Sequence, residues 1–188
     1  AKVQTRMSAS SLIIISGLSG TGKSTIGPML ADYLDADYLD QDKFFRRPST
    51  FPLVATPKGK KVRLYDHESC IDFDRMINTI LDRLKRFETV VLSGFYLPPK
   101  FFSDLPLTRY IVLDIDYEVC LARRAKSKAI LAAPRKFDTE QDRWMVETYV
   151  LPFYREGLDQ ILMSGSKVDR IQADVKSEIV WSKVKKLF

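Results

Sequence analysis

The chain has 188 residues, of which 45% are hydrophobic, so it can bury one globular core but not two comfortable ones. No stretch approaches the ~20 apolar residues of a membrane span, and the start of the chain lacks the apolar region of a secretory signal. We therefore expect a single domain over residues 12–188, preceded by a polar tail over residues 1–11, in a cytoplasmic protein without a membrane partner.

The formal net charge is +6 and the pI is about 9.3, values that suit nucleic-acid binders and also enzymes that handle polyanionic substrates. The basic residues lack a recognition module and interleaved aromatic residues, so we expect no nucleic-acid partner. Cys70 and Cys120 have no metal-ligand spacing and are expected to be reduced. Composition leaves open whether the protein is a monomer or a homodimer.

The first motif along the chain is a phosphate loop. Residues 17–24 read Gly-Leu-Ser-Gly-Thr-Gly-Lys-Ser, directly after the apolar run 12–15, which predicts a buried strand, and before a helical pattern. Backbone N–H groups of such a loop bind phosphate oxygens, Lys23 would reach the β- and γ-phosphates, and the Ser24 hydroxyl would bind Mg²⁺. We therefore expect ATP or GTP, with Mg²⁺, at residues of this loop: Gly17, Gly20, Thr21, Gly22, Lys23, Ser24 and Thr25.

The rest of the chain alternates between strand and helix patterns. Strands are predicted at 37–40, 89–94, 110–115 and 168–171, and helices at 68–87, 117–128, 139–149, 152–163 and 176–187. Residues 46–65, with three prolines and a basic cluster, predict a long surface loop. The alternation predicts a doubly wound, mostly parallel five-stranded α/β domain, in which Asp40, Asp42 and Ser93 meet the phosphate loop at the carboxyl ends of the strands.

Short motifs that occur in order between Leu12 and Tyr154 resemble nicotinamide riboside kinase and its relative uridine kinase. They are Gln41-Asp42-x-Phe44-Phe45, Tyr65-Asp66-His67, the strand ending at Gly94, and Asp116-Tyr117-Glu118-x-Cys120 with Arg123-Arg124. The resemblance implies a phosphotransferase that moves the γ-phosphate of ATP to the 5′-hydroxyl of a ribonucleoside.

The resemblance also implies residue roles. Asp42 would orient or deprotonate the acceptor hydroxyl near the metal, and Arg124 would contact ribose or phosphate. Asp66 would bind the ribose hydroxyls, Tyr65 would flank the base, and Phe45 is a further candidate for the substrate side. Basic residues over 123–137 would form a lid on the triphosphate: Arg123, Arg124, Lys126, Lys128, Arg135 and Lys136.

Each role has a structural alternative. Asp42 could cap the turn before Phe44, and Asp66 could cap the following helix with Tyr65 in the core. The basic residues of the lid could be a solvated helix end that complements the helix dipole.

Two positions depart from that family. It has an acidic residue before the glycine at the end of the strand 89–94, where this chain has Ser93, and we hypothesise that Asp40 takes over the contact to the metal. Residues 129–131 are Ala-Ile-Leu where nicotinamide riboside kinases stack an aromatic ring on the base.

Three functional hypotheses therefore stay open: a ribonucleoside kinase, which the motifs favour, a kinase for another small acceptor, and a nucleotide-binding protein without transfer activity. The second hypothesis covers a nucleoside monophosphate, a sugar or a cofactor precursor. A monophosphate acceptor would need spare cations, for which the cluster over residues 58–63 is the candidate.

Overall fold

The structure, a computed structural model, describes residues 9–132 and 138–188, and for residues 127–132 it describes the backbone only. In chain order the helices and strands are β1 (Ser11–Gly17), α1 (Lys23–Leu34), β2 (Asp37–Asp40), β3 (Leu53–Ala55), β4 (Lys61–Arg63), α2 (Phe73–Leu84), β5 (Thr89–Gly94), β6 (Leu107–Asp114), α3 (Tyr117–Ala132), α4 (Thr139–Met145), α5 (Leu151–Met163), β7 (Val168–Gln172) and α6 (Ser177–Lys185). The predicted tail falls mostly on residues 1–8, which lie outside the described residues.

Five strands form one sheet in the order β2-β5-β1-β6-β7, and every neighbouring pair is parallel. The central strand β1 carries Leu12, Ile14 and Ile15 at 0% exposure, as a strand covered on both faces requires. The predicted doubly wound α/β fold is therefore confirmed.

Two hydrophobic cores cover the two faces of the sheet. One face packs against α2 and α5 through residues such as Met76, Ile80 and Ile161. The other packs against α1 and α6, with Ile26 and Val184 among its buried residues. Helices cover both faces, so the carboxyl ends of the strands are where a ligand site is expected in such a sheet.

The predicted loop over residues 46–65 is partly wrong, because it contains the antiparallel hairpin β3–β4. Each strand has three residues, and proline residues around β3 break the alternation that marks longer strands. The hairpin lies outside the main sheet and next to the carboxyl ends of its strands.

Two predicted helix boundaries also differ. The helix predicted from residue 68 begins at Phe73, because Asp72 caps it by accepting a hydrogen bond from the Arg75 amide and Ile71 forms an extended bridge with Phe45. The two helices predicted at 139–149 and 152–163 are one helical run in which a wide π-helical turn, Val146–Val150, precedes Pro152. Such a turn accommodates a proline that has no N–H to donate.

Two adjacent residues of α2 should contribute very differently to the stability of the protein. Ile80 has 0% exposure and Leu81 has 43%, so Ile80→Ala leaves a cavity whereas Leu81→Ala removes atoms that water already reaches. We expect Ile80→Ala to lower the free energy of unfolding by about 2–5 kcal/mol and Leu81→Ala by about 1 kcal/mol or less. Urea unfolding of both variants measures this, and equal losses would contradict the assigned faces of α2.

Candidate active site

A cavity of about 610 Å³ lies at the carboxyl ends of β1, β2 and β5. Its wall brings together residues that are far apart in the chain and that the sequence analysis had singled out: Gly20, Gly22, Lys23, Ser24, Asp40, Asp42, Asp66, Ser93, Arg123, Arg124 and Lys126. The parallel sheet therefore places the acids after β2 beside the phosphate loop after β1, as predicted.

The phosphate loop turns with left-handed backbone angles at Gly20 and Gly22, φ +85° and +89°. Gly22 is also the N-cap of α1, and a glycine has no side chain that could occupy the first N–H groups of the helix. These groups and the positive end of the helix dipole can therefore bind an anion.

Three residues of the predicted nucleotide-binding set do not line the cavity. Gly17 is the last residue of β1, and Thr21 is buried with its hydroxyl donating to the Leu18 carbonyl at 2.9 Å. Thr25 is exposed on the first turn of α1, outside the cavity wall. Gly17 and Thr21 thus shape the loop from beneath, while Gly20, Gly22, Lys23 and Ser24 form its surface.

Lys23 extends back across the loop, and its Nζ donates to the Leu18 carbonyl at 2.8 Å. Desolvation lowers the pKa of Lys23 to about 8, against the opposing attraction of Asp42 and Asp40. An arriving phosphate would favour the charged ammonium, because an adjacent anion raises the pKa of a lysine. A bound phosphate would thus stabilise the charged form of Lys23 more than it would stabilise that of an exposed lysine.

Asp40 and Asp42 follow one another at the end of β2 but have different environments. Asp40 caps the short 3-10 turn Gln41–Phe44, its Oδ1 accepting from the Asp42 amide at 3.0 Å. Burial raises the pKa of Asp42, the charge of Asp40 raises it further, and Lys23 opposes both. Asp40 therefore has the turn-capping role that was the alternative for Asp42, and the raised pKa makes the Asp42 carboxylate a stronger base than an exposed aspartate.

Ser93 stands beside Asp40, since the two residues are register partners in the β2–β5 pair. The strand that carries Asp40 is therefore the neighbour of the strand that lacks the expected acid. The hydroxyls of Ser93 and Tyr38 share a hydrogen bond of 2.6 Å, so Ser93 is tied to the sheet.

The residues of this cavity fit Mg²⁺ only in part. The Ser24 hydroxyl and the carboxylates of Asp40 and Asp42 are the hard oxygen donors that Mg²⁺ prefers. Within residues 9–132 and 138–188, no group of three or more His, Cys, Asp or Glu side chains could hold a metal ion. A magnesium ion here would therefore take the rest of its ligands from phosphate oxygens and water, as Mg²⁺ commonly does.

Gln41 supports the site from beneath the cavity wall, a role that sequence reasoning missed. Its side chain has 0% exposure and crosses from β2 to the segment after β5, where its Oε1 accepts from the amides of Phe95 at 3.0 Å and Tyr96 at 3.2 Å and its Nε2 donates to the Tyr96 carbonyl. A Cβ at Gly94 would lie 2.7 Å from the Gln41 Cβ, so only glycine fits there. The sequence signal was a polar residue between two acids, but its partners lie 54 and 55 residues away.

A side chamber of about 490 Å³ adjoins the main cavity and shares Asp66 and Arg124 with it. The residues of its wall come from β4 and the segment after it, from α3, and from α4 and its N-cap: Val62, Arg63, Tyr65, Asp66, Arg124, Asp138, Gln141, Asp142 and Met145. The side chamber thus continues the site away from the phosphate loop.

The structure decides between the alternatives for the residues predicted on the substrate side. Tyr65 is 48% exposed with its ring edge-on to Phe51 at 4.8 Å, so the core alternative for Tyr65 is wrong. Phe45 stacks parallel to Phe95 at 6.3 Å, and of these two rings Phe95 lines the main cavity. Asp66 does not cap α2, because Asp72 does.

The predicted lid is described in part. Arg123 Nη1 donates to the carbonyls of Gly20 at 2.8 Å and Ala173 at 3.0 Å, which fastens α3 to the phosphate loop. Arg124 Nε donates to both carboxylate oxygens of Asp142 at 3.2 and 3.0 Å. The side chain of Lys128 and all of Arg135 and Lys136 lie outside the described residues, as do the side chains of residues 129–131.

No helix within residues 9–132 and 138–188 is long and apolar enough to cross a membrane. Cys70 and Cys120 are buried and free, in agreement with the sequence analysis.

No protein-family model matches the chain. Among curated proteins it is 52% identical over 44 residues to a shikimate kinase of Chlorobium phaeobacteroides strain BS1, a match that covers 23% of this chain and only 22% of that relative. It is 24% identical over 165 residues to a shikimate kinase of Psychrobacter sp. strain PRwf-1, covering 84% and 85% of the two chains. It is 34% identical over 82 residues to a gluconokinase of Arabidopsis thaliana, covering 44% and 41%.

Solved structures share the fold at low identity. A sugar kinase from Janibacter sp. HTCC2649 aligns with a TM-score of 0.56 and 15% identity over 95% of this chain and 93% of that one. A gluconokinase from Sinorhizobium meliloti 1021 aligns with a TM-score of 0.54 and 15% identity over 95% and 90%. The relatives are thus small-molecule kinases, and they do not support the narrower resemblance to nicotinamide riboside kinase and uridine kinase.

The hydrogen bonds of Gln41 predict a loss of stability on a nearly isosteric change. Gln41→Met leaves the amides of Phe95 and Tyr96 without their acceptor, and we expect the free energy of unfolding to fall by about 2–4 kcal/mol. Gln172→Met, at an exposed glutamine of β7, is the matched control and should change it by about 0.5 kcal/mol or less. Denaturant unfolding measures both, and a tolerated Gln41→Met would show that these bonds contribute little.

Proposed function

We propose that this protein is an ATP-dependent kinase that phosphorylates a hydroxyl group of a small polyhydroxylated acceptor. The observation that carries the proposal is that Lys23, in the phosphate loop, and Asp42, after β2, line one cavity, which a side chamber adjoins through Asp66 and Arg124. Transfer of a phosphoryl group to a hydroxyl needs a cation at the phosphates and a proton acceptor at the hydroxyl, on opposite sides of the reacting atoms.

In this proposal the loop N–H groups and Lys23 bind the β- and γ-phosphates and neutralise the charge that develops on them. Arg124 reaches the same cavity and would add a second cation. Mg²⁺, when bound, would further neutralise the phosphate oxygens, with Ser24, Asp42 and Asp40 as its protein contacts.

Asp42 would orient the acceptor hydroxyl toward the γ-phosphorus. As the new oxygen–phosphorus bond forms and the bond to the ADP oxygen breaks, the hydroxyl proton passes to the Asp42 carboxylate. Burial and Asp40 raise the pKa of that carboxyl, which makes it a better base than an exposed aspartate. Asp66, at the junction with the side chamber, would hold further hydroxyls of the acceptor.

The similarities to known kinases favour a small acceptor other than a ribonucleoside, which is the second hypothesis of the sequence analysis. The relatives named above are two shikimate kinases, two gluconokinases and a sugar kinase, which supports a sugar-like or cyclic polyol rather than a nucleoside. A ribonucleoside is the second candidate, because Tyr65 and Asp66 lie together on the side chamber as a ring and a ribose contact would. The presence of Lys23, Ser24 and Asp42 in one site argues against a silent nucleotide binder.

The first test is turnover. ADP release with ATP or GTP and Mg²⁺ is measured across shikimate, gluconate, glucose, nicotinamide riboside and uridine. We expect acceptor-dependent release, which Lys23→Ala reduces by about 100-fold or more and Asp42→Asn by at least about 100-fold, because each removes a group that acts on the transferring phosphoryl or the nucleophile.

Lys183→Ala, which removes an exposed lysine of α6, is the matched control and should have the same activity as the wild-type protein. Nucleotide binding without release on any acceptor would favour the silent binder.

A second test isolates the charge of Asp40. Asparagine can still cap the turn that Asp40 caps, so Asp40→Asn removes the carboxylate and keeps the local structure. We expect the Mg²⁺ concentration for half-maximal activity to rise about tenfold, since an outer contact to a metal typically contributes about 10–100-fold in affinity. Asp35→Asn, an exposed change after α1, is the control, and an unaltered Mg²⁺ dependence of Asp40→Asn would sink the metal role.

A further inference from the structure

Arg124 lies where the main cavity and the side chamber meet. It lines both of them, and its side chain is 17% exposed. Helix α3, which carries it, is fastened to the phosphate loop, because the neighbouring Arg123 Nη1 donates to the Gly20 carbonyl at 2.8 Å. A second contact runs from Cys120 Sγ to the Ser19 carbonyl at 3.2 Å. The backbone of α3 at Arg124 is therefore held close to the loop.

One carboxylate holds the guanidinium group of Arg124 in place. Arg124 Nε donates to Oδ1 and Oδ2 of Asp142 at 3.2 and 3.0 Å. Asp142 comes from the first turn of α4, is 8% exposed, and lines the side chamber but not the main cavity. Of the contacts that the structure gives for Arg124 within residues 9–132 and 138–188, none involves Nη1 or Nη2. The carboxylate thus engages one edge of the guanidinium and leaves the two terminal nitrogens as donors for a ligand.

Stability alone does not account for this buried ion pair. Removing two charges from water costs free energy that their attraction recovers only in part, so apolar side chains of similar size often serve as well. A guanidinium without a fixed partner would also keep side-chain conformational freedom, about 2 kcal/mol for an arginine, which binding a phosphate would have to remove. A carboxylate that fixes the group beforehand lets its terminal nitrogens meet developing charge without reorganisation.

A second ion pair joins α3 to α4 outside the site. Arg143 of α4 donates to both carboxylate oxygens of Glu118 of α3 at 3.2 and 3.0 Å, and these side chains are 49% and 65% exposed. Neither residue lines the main cavity or the side chamber. The two ion pairs therefore bridge the same helices, but only the buried one includes a group of the cavity wall. Comparing them separates a bracing role from a positioning role.

We propose that Asp142 is a positioning residue of the phosphoryl transfer. It holds the Arg124 guanidinium so that the terminal nitrogens stabilise the charge that develops on the transferring phosphoryl oxygens. The inference rests on the proposed kinase function and deepens it. Asp142 acts through Arg124, forms no bond to the reacting atoms and exchanges no proton with them. Its loss therefore lowers kcat and leaves the KM values unchanged.

The experiment is a double-mutant cycle, run with the acceptor that gives the fastest ADP release in the panel above. We expect Asp142→Asn to lower kcat by about 10–100-fold, because a misplaced catalytic group costs about that much, while the KM for ATP and for the acceptor change by less than about threefold. In an Arg124→Ala background, Asp142→Asn should lower kcat no further, since no guanidinium is left to hold. Glu118→Gln, which removes the exposed pair between the same helices, is the matched control and should keep the kcat of the wild-type protein.

A second variant keeps the test valid if Asp142→Asn does not fold. Asp142→Asn removes the charge that faces a buried guanidinium and lowers stability, so thermal unfolding is measured for every variant. Arg124→Lys keeps a positive charge beside Asp142. The single nitrogen of a lysine cannot pair with the carboxylate and also reach the phosphoryl group as a guanidinium does, so we expect kcat to fall by about tenfold or more.

Three results would overturn the inference and leave the kinase function standing. The first is a kcat of Asp142→Asn or Arg124→Lys within about threefold of the wild-type value. The second is an equal loss of kcat on Asp142→Asn with and without the Arg124 side chain. The third is a raised KM for the acceptor at unchanged kcat, which would mean that Asp142 binds the acceptor directly. Turnover of no acceptor by the wild-type protein would overturn the proposed function and this inference with it.

Discussion

A buried glutamine amide joins the two strand ends on which the whole site depends. β2 has only four residues and lies at the edge of the sheet, so its ladder alone gives the following turn little rigidity. Gln41 supplies the missing constraint by bonding to the backbone of Phe95 and Tyr96 after β5. Because Asp40 and Asp42 flank Gln41 in the chain, its hydrogen bonds and the close approach at Gly94 help, together with the β2–β5 pairing, to hold the two acids near the phosphate loop.

The charges of the site follow from that placement. Partial burial and the neighbouring charge of Asp40 raise the pKa of Asp42, and burial lowers the pKa of Lys23 to about 8. The charged forms of both groups are therefore less favoured than in water, so a bound phosphate, which favours the charged lysine, would offset this cost. The side chamber adjoins this cavity through Asp66 and Arg124, and Arg124 is paired there with Asp142.

The sequence predicts the parts of this arrangement that are local. The phosphate loop, the apolar run of β1 and the meeting of Asp40 and Ser93 at the carboxyl ends of the strands follow from motif spacing and from the rules of parallel sheets. Contacts between distant parts of the chain cannot be predicted from local patterns. No sequence pattern indicated the hydrogen-bond partners of Gln41 or the hairpin β3–β4. The motifs behind the resemblance to nicotinamide riboside kinase are short and lie where any kinase with a phosphate loop needs an acid or a cation, so they identify the reaction more readily than the acceptor.

The central claim is that the phosphate loop and Asp42 face each other across one reacting phosphoryl group. A crystal structure of the protein with Mg²⁺ and a non-hydrolysable ATP analogue tests it most directly. The account predicts the γ-phosphate between Lys23 and Asp42, with the Gln41 bonds to Phe95 and Tyr96 retained. A nucleotide bound elsewhere, or a γ-phosphate directed away from Asp42 toward solvent, would contradict it.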